Sequence, residues 1–276
     1  MVARRRLDAE LVRRKMARSR EHAVEMIRGN RVKVGGITAV KPATVVNPDV
    51  SIRVTTAEED TYASRGAHKL LGALDAFAAE GLSLSGRRVL DAGASTGGFT
   101  DVCLRRGASE VVAVDVGYGQ LIWRLQNDPR VKVLDRTNIR GVTPEKLGGV
   151  CDAMVGDLSF ISLKLVLPAL RDCLAPGADL LPMVKPQFEV GKDRLGTGGV
   201  VRSPELRIEV TENIARFAEE LGMSCRGVVA SPLPGPSGNV EYFLWLVNGS
   251  VSGDGYPSPA KDIRSMVERA VEEGPR

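Results

Sequence analysis

"GRRVLDAGASTGGFTDVCLRRGASEVVAVDVGYGQL", residues 86–121, decides the fold. It opens on a short apolar strand, RVLDAG, and breaks in a run of small residues. It resumes as a helical stretch, TDVCLRRG, which Gly107 ends. A second apolar strand, EVVAVD, then closes on Asp115. This is a βαβ unit with a glycine-rich first turn. The glycines let the backbone approach a ligand closely. Asp115 lies about 20 residues beyond them, where an acidic group can bond ribose hydroxyls. A dinucleotide site would call for G-x-G-x-x-G ahead of the helix, with a pyrophosphate at the helix N-terminus. Here the turn reads D-A-G-A-S-T-G-G-F. Asp91 at its start suits the amino group of a cationic ligand better than a pyrophosphate.

That turn resembles the first motif of class I S-adenosylmethionine-dependent methyltransferases. The resemblance implies an α/β fold with a Rossmann-like, mostly parallel seven-stranded sheet and S-adenosyl-L-methionine as cofactor. It implies that Asp91, Gly93, Ala94, Ser95, Thr96, Gly97, Gly98 and Phe99 surround the cofactor. Asp115 would hold its ribose with Val116 alongside, and Asp135 and Asn138 of "VKVLDRTNIRGV" would lie near the adenine.

Three further segments are expected to meet that edge. "CDAMVGDLSFISL" reads as a strand ending at Asp157, which would also neighbour the cofactor. "ADLLPMVKPQF" reads as a strand ending at Lys185. In "NVEYFLWLV", Glu241 opens an otherwise apolar strand. Ligands of open parallel sheets bind outside the carboxyl ends of the strands. An antiparallel last strand would begin at that edge. Lys69 sits in the first turns of the helix carrying Leu70, Leu71, Leu74 and Phe77, where a cation is poorly matched to the helix dipole. Two lysines and two carboxylates are thus expected to converge on one cleft.

The set Lys69, Asp157, Lys185 and Glu241 resembles the K-D-K-E tetrad of FtsJ-like ribose 2′-O-methyltransferases. The flanks "SRGAHKL", "GDLSFISL", "VKPQFEVGK" and "GPSGNVEYF" match as well. The resemblance implies that Lys185 accepts the 2′-OH proton, for which it must be neutral at the moment of reaction. The methyl donor is already activated as a sulfonium, so the chemistry needs no metal.

The N-terminal residues have a different character. Residues 1–57 carry 13 Lys and Arg against 5 Asp and Glu, a surplus of eight positive charges. The remainder carries 25 against 29, a deficit of four. A basic module joined to a slightly acidic body points to a polyanionic partner for the module. Leu7, Leu11 and Val12 have helical spacing. Ser19 caps a second helix whose inner face is Ala23, Met26 and Ile27, and Gly29 and Asn30 end it. "RVKV" alternates as a strand, Gly35 and Gly36 make a tight turn, and "VSIRV" closes the module. This order resembles the S4-type RNA-binding domain over 1–57. The resemblance implies phosphate contacts through Arg4, Arg5, Arg6, Arg13, Arg14, Lys15, Arg18 and Arg20, with Arg65 beyond the module. Arginine forks bind phosphate oxygens in pairs. The module has no aromatic residue, so shape recognition of folded RNA fits better than base stacking. Residues 58–65 read as a linker and 66–276 as the methyltransferase domain.

With both parts in place, the chain resembles the TlyA family of ribosomal RNA methyltransferases over almost its whole length. That implies 2′-O-methylation of cytidines in the rRNA of the 30S and 50S subunits and a link to capreomycin susceptibility. The linker departs from the family pattern at Tyr62, where members carry Trp. A cytoplasmic monomer is expected.

Three other readings compete. A base N-methyltransferase would end the fourth strand on a Pro-Pro-aromatic motif, and this strand ends "GDLS". A binding-only assembly factor would not require all four tetrad charges. A membrane-lytic protein would need a spanning or strongly amphipathic helix. The sequence has no apolar run of about 18 residues and no secretory signal. "KDIRSMVERAVEEG" reads as a mixed-charge helix packed on the body. Two histidines, His22 and His68, and four scattered cysteines match no metal spacing, so no metal is expected.

Overall fold

The computed structural model describes residues 4–29, 31–54, 62–249 and 262–275. They fall into two units, Met1–Tyr62 and Ala63–Arg276. The smaller unit runs β1 (Arg5–Arg6), α1 (Leu7–Arg13), α2 (Arg20–Arg28), β2 (Val32–Val34), β3 (Ile37–Thr38), β4 (Val45–Val46) and β5 (Ile52–Val54). Leu7, Leu11, Ala23, Met26 and Ile27 are buried together with Val32, Val46 and Ile52, so the two helices share one core with the strands. Ser19 caps α2 by accepting from the His22 amide at 3.2 Å. Gly35 and Gly36 both take positive φ, which the tight turn between β2 and β3 requires. The antiparallel β1–β4 pair is an addition that the sequence pattern did not suggest. Gly29 caps α2 as expected, and Asn30 lies outside the described residues.

The larger unit runs α3 (Gly66–Ala78), β6 (Arg88–Ala92), α4 (Gly98–Arg105), β7 (Glu110–Val114), α5 (Trp123–Gln126), β8 (Val131–Leu134), α6 (Pro144–Leu147) and β9 (Cys151–Gly156). It continues with α7 (Leu167–Asp172), β10 (Leu174–Val184), α8 (Pro186–Glu189), α9 (Pro204–Glu220), β11 (Met223–Ala230), β12 (Tyr242–Asn248) and α10 (Ile263–Glu273). Seven strands form one sheet in the order β8-β7-β6-β9-β10-β12-β11. All neighbours are parallel except the two pairs made by β12. This is the Rossmann-like sheet of class I methyltransferases. The strand order reverses after β6, so the switch point lies between β6 and β9, where ligands of such sheets bind. β12 is buried over Tyr242–Val247, as expected of a strand covered on both faces. α10 buries Ile263, Met266, Val267, Ala270 and Val271 and so packs on the body, as its pattern suggested.

Two details differ from expectation. Leu71 is half-buried, and Ala67 and Ala73 complete the inner face of α3 instead. Ala63 was placed in the linker. In the structure it is buried, and its amide donates to the Asp101 carboxylate at 2.8 Å. Residues 58–61 of that linker lie outside the described residues.

Candidate active site

Each expected strand end falls where the pattern put it. Asp115 follows β7, Asp157 follows β9 and Lys185 follows β10 without a gap, and Glu241 immediately precedes β12. Val184 of β10 pairs with Tyr242 of β12 in antiparallel register. One step further along that register brings Lys185 opposite Glu241, about 5 Å apart in the backbone.

The four charged groups resolve into two pairs. Lys69 Nζ donates to Glu241 Oε2 at 2.5 Å, and their side chains are 11% and 1% exposed. Lys185 Nζ lies 2.6 Å from Asp157 Oδ1, a close ion-pair contact without hydrogen-bond alignment. Its aligned hydrogen bond goes to Ser159 Oγ at 2.7 Å. The lysine side chain is 8% exposed and Asp157 24%. A lysine at the end of a buried strand is thus accommodated by pairing.

The glycine turn is built by hydrogen bonds that leave it little freedom. Gly93 and Ala94 both donate to the Val114 carbonyl, and Gly97 donates to Ala94. Gly97 has φ +99°, and a side chain there would strike Leu121 and Leu125. Ser95, Thr96 and Val116 are exposed beside it, and Gly98 is the first residue of α4. Asp115 accepts from the Ser95 amide at 2.8 Å and the Gly117 amide at 2.7 Å. Two bonds leave lone pairs free on that carboxylate, which has about four acceptor positions. Asp135 accepts from the Gly119 amide at 2.8 Å. Asn138 is exposed and accepts from the Arg140 amide, capping a short helical turn.

Two residues expected at the cofactor are turned into the protein instead. Asp91 is fully buried, and its Oδ2 accepts from Thr100 Oγ1 at 2.6 Å while Oδ1 has no partner. Phe99 is 4% exposed, and its ring packs on Phe243 with centroids 6.0 Å apart. Strand alternation explains Asp91: Leu90 and Ala92 face one core, so Asp91 faces the other way, where α4 covers it.

Burial pushes the Asp91 carboxyl up to about 7. The Thr100 hydrogen bond opposes this, and the negative charges of Asp157 and Asp115 add to it. In the unfolded chain an aspartate ionises near 3.9. Between about pH 4 and about pH 7, therefore, the native state keeps a proton that the unfolded chain has released. The Asp91 contribution to stability is fully present below that window and falls as pH rises through it, by on the order of a few kcal/mol. Asp91→Asn should flatten this part of the stability–pH curve. Melting of both proteins between pH 4 and 8 checks it, and parallel curves would refute the assignment.

In the smaller unit the basic residues are organised by two buried carboxylates. Asp8 accepts from Arg6 at 3.1 and 2.8 Å and from Arg20 at 3.4 Å, while both arginines stay about half exposed. The Arg6 hydrogen bonds hold the Asp8 carboxyl below its usual value, although burial opposes them. Glu10 takes a two-pronged bond from Arg13 at 2.8 and 2.6 Å and one from Arg14 at 2.8 Å. The Arg13 bond is the largest influence lowering Glu10 to about 2. Arg14 departs from the expected RNA-facing set. Its other nitrogens donate to the Val50 and Pro48 carbonyls, and its side chain is 18% exposed, so it ties α1 to the loop before β5. Arg4, Arg5, Lys15, Arg18 and Arg65 are exposed.

Three features escaped the sequence pattern. Ser159 on Lys185 and Asp101 as partner of Arg124 depend on the approach of distant segments, while Arg105 reaches Asp101 from the next turn of α4. Phe160 is 91% exposed at φ +63°, three residues after Asp157. Only its place in "GDLSFISL" hinted at a role.

Residues 62–248 match the FtsJ-like methyltransferase family, and residues 5–52 match the S4 domain. The chain is 58% identical, over the full length of both chains, to the 16S/23S rRNA (cytidine-2′-O)-methyltransferase TlyA of Mycobacterium tuberculosis. It is 32% identical to Hemolysin A of Brachyspira hyodysenteriae, over 88% of this chain and 99% of that one. A Streptococcus thermophilus structure named as a hemolysin superposes with a TM-score of 0.74 at 34% identity, covering 99% of this chain and 96% of that one. Among the described residues, no helix is long and apolar enough to cross a membrane. With an S4 domain ahead of a seven-stranded FtsJ-like domain, and full-length identity to a curated member, the chain belongs to the TlyA family of FtsJ-like methyltransferases.

Proposed function

We propose that this chain methylates the 2′-oxygen of cytidine in ribosomal RNA, using S-adenosyl-L-methionine. The observation that carries the reading is the pair of lysine–carboxylate contacts, Lys185–Asp157 and Lys69–Glu241, at the ligand-binding edge of the sheet. The site suits a cationic cofactor. Two partly buried carboxylates, Asp115 and Asp157, stand at strand ends beside the glycine turn. Asp115 with free lone pairs would take the ribose hydroxyls, and exposed Val116 would meet the adenine. When bound, S-adenosylmethionine supplies a methyl group already activated as a sulfonium.

The chain's own residues do the rest. Lys185, in its neutral form, takes the 2′-OH proton. Asp157 holds the amine by its charge, and Lys69 with Glu241 borders the same edge. Close placement of the 2′-oxygen against the methyl supplies much of the remaining rate. Transfer of labelled methyl to purified 30S and 50S subunits, with alkaline-hydrolysis mapping, tests this reading. Label at a hydrolysis-resistant position supports ribose methylation, and label on a base refutes it.

We assign the smaller unit to RNA binding, with ribosomal subunits in the cytoplasm as the partner. Arg6 and Arg20, gripped by Asp8 and half exposed, are preset for phosphate oxygens. Arg6→Ala should weaken RNA binding across sequences and lower the slope of log K against log salt by about one. Filter binding over a salt series reads both, and an unchanged slope would remove Arg6 from the interface.

A further inference from the structure

We infer that Ser159 is a positioning residue for Lys185, setting the direction in which the lysine amine meets the substrate hydroxyl. This rests on the proposed ribose methylation. The argument starts from the tetrahedral nitrogen. One of its four positions is bonded to Cε. A second donates to Ser159 Oγ at 2.7 Å, and this aligned bond fixes rotation about the Cε–Nζ bond. Asp157 Oδ1, 2.6 Å away, attracts a third. In the neutral amine the one position left is the lone pair, and it must accept from the 2′-OH. Asp157 alone cannot set that direction, because its contact is not aligned as a hydrogen bond.

Ser159 is not held by chance. Its loop is fastened to α8, the helix that begins directly after Lys185. Glu189 of α8 accepts from Ser162 Oγ at 2.6 Å and from the Leu163 amide at 2.8 Å. The Phe160 and Phe188 rings pack with centroids 5.2 Å apart. The Phe188 amide donates to the Lys185 carbonyl at 2.9 Å. Loop and lysine are therefore anchored to the same short helix, and the left-handed backbone at Phe160 marks a turn held against its preference.

Steady-state methylation of ribosomal subunits by the full chain tests the inference, with wild type, Ser159→Ala, Ser159→Thr and Lys185→Ala side by side. Ser159→Ala should lower kcat by about 10- to 100-fold, as expected when a reacting group loses its alignment. Its KM for the subunit and its affinity for S-adenosylmethionine should stay within about twofold of wild type. Ser159→Thr keeps the hydroxyl and should keep most of kcat. Because Ser159 is exposed, melting temperatures should not move. A Ser159→Ala enzyme with wild-type kcat, beside an inactive Lys185→Ala enzyme, overturns the inference alone. So does a Thr variant as slow as the Ala variant, or a loss confined to KM. A Lys185→Ala enzyme with normal turnover overturns instead the proposed chemistry on which the inference rests.

Discussion

Lys185→Ala should lower kcat for ribose methylation by about 10²- to 10⁴-fold, the range that a positioned proton acceptor contributes. Affinity for RNA and for S-adenosylmethionine should change little, because the lysine ends a strand and is proposed to hold neither. Folding should survive as well. Asp157, the charge left behind, is 24% exposed and can be hydrated, so its loss of partner costs far less than it would in a sealed core. Lys185→Arg separates proton acceptance from simple positive charge. A guanidinium stays protonated, so the Arg variant should be as slow as the Ala variant. Single-turnover methyl transfer at saturating cofactor measures both. An Arg variant near wild-type rate would show that a fixed cation, not a base, is what the reaction needs.

Glu241→Ala should destabilise the larger unit by about 3–5 kcal/mol, the cost of leaving one member of a buried ion pair without its partner. For a unit of this size that corresponds to a fall in Tm on the order of 10 °C. The physical reason is the burial of both ends. Glu241 is 1% exposed and Lys69 11%, and the loop before β12 closes tightly over the carboxylate. A side chain at Gly235 would come within 2.6 Å of Glu241 Oε1, so the loop leaves little room for water to replace it. Replacing both partners by apolar residues of similar volume, Lys69→Met with Glu241→Leu, should recover most of the stability, as such swaps of buried pairs often do. On the proposed reading the double variant remains inactive. Calorimetry and methylation assays on the same preparations separate the two roles. A stable, active double variant would remove this pair from the chemistry.

The glycine turn, the strand-end carboxylates and the lysine at the end of β10 were legible in the sequence because they follow from local rules. An apolar run must end where a charge appears, and a turn needing positive φ selects glycine, as at Gly97. The parallel sheet followed from the βαβ pattern, and the buried face of α2 from its spacing. The basic surplus of residues 1–57 needed only counting. What the sequence could not specify is which groups touch. Lys69 meets Glu241 across 172 residues, and Lys185 meets Asp157, not the reverse pairing. Asp91 and Phe99 belong to the motif yet point into the protein, since strand alternation says that faces differ but not that α4 seals one of them. Arg14 has the charge of its neighbours, but its nitrogens are spent on Glu10 and on carbonyls of a loop over 30 residues away. Charge, spacing and turn chemistry are properties of short segments and were determined by the sequence alone. Burial, pairing and the direction of a side chain depend on segments distant in the chain, and the tertiary structure decided them.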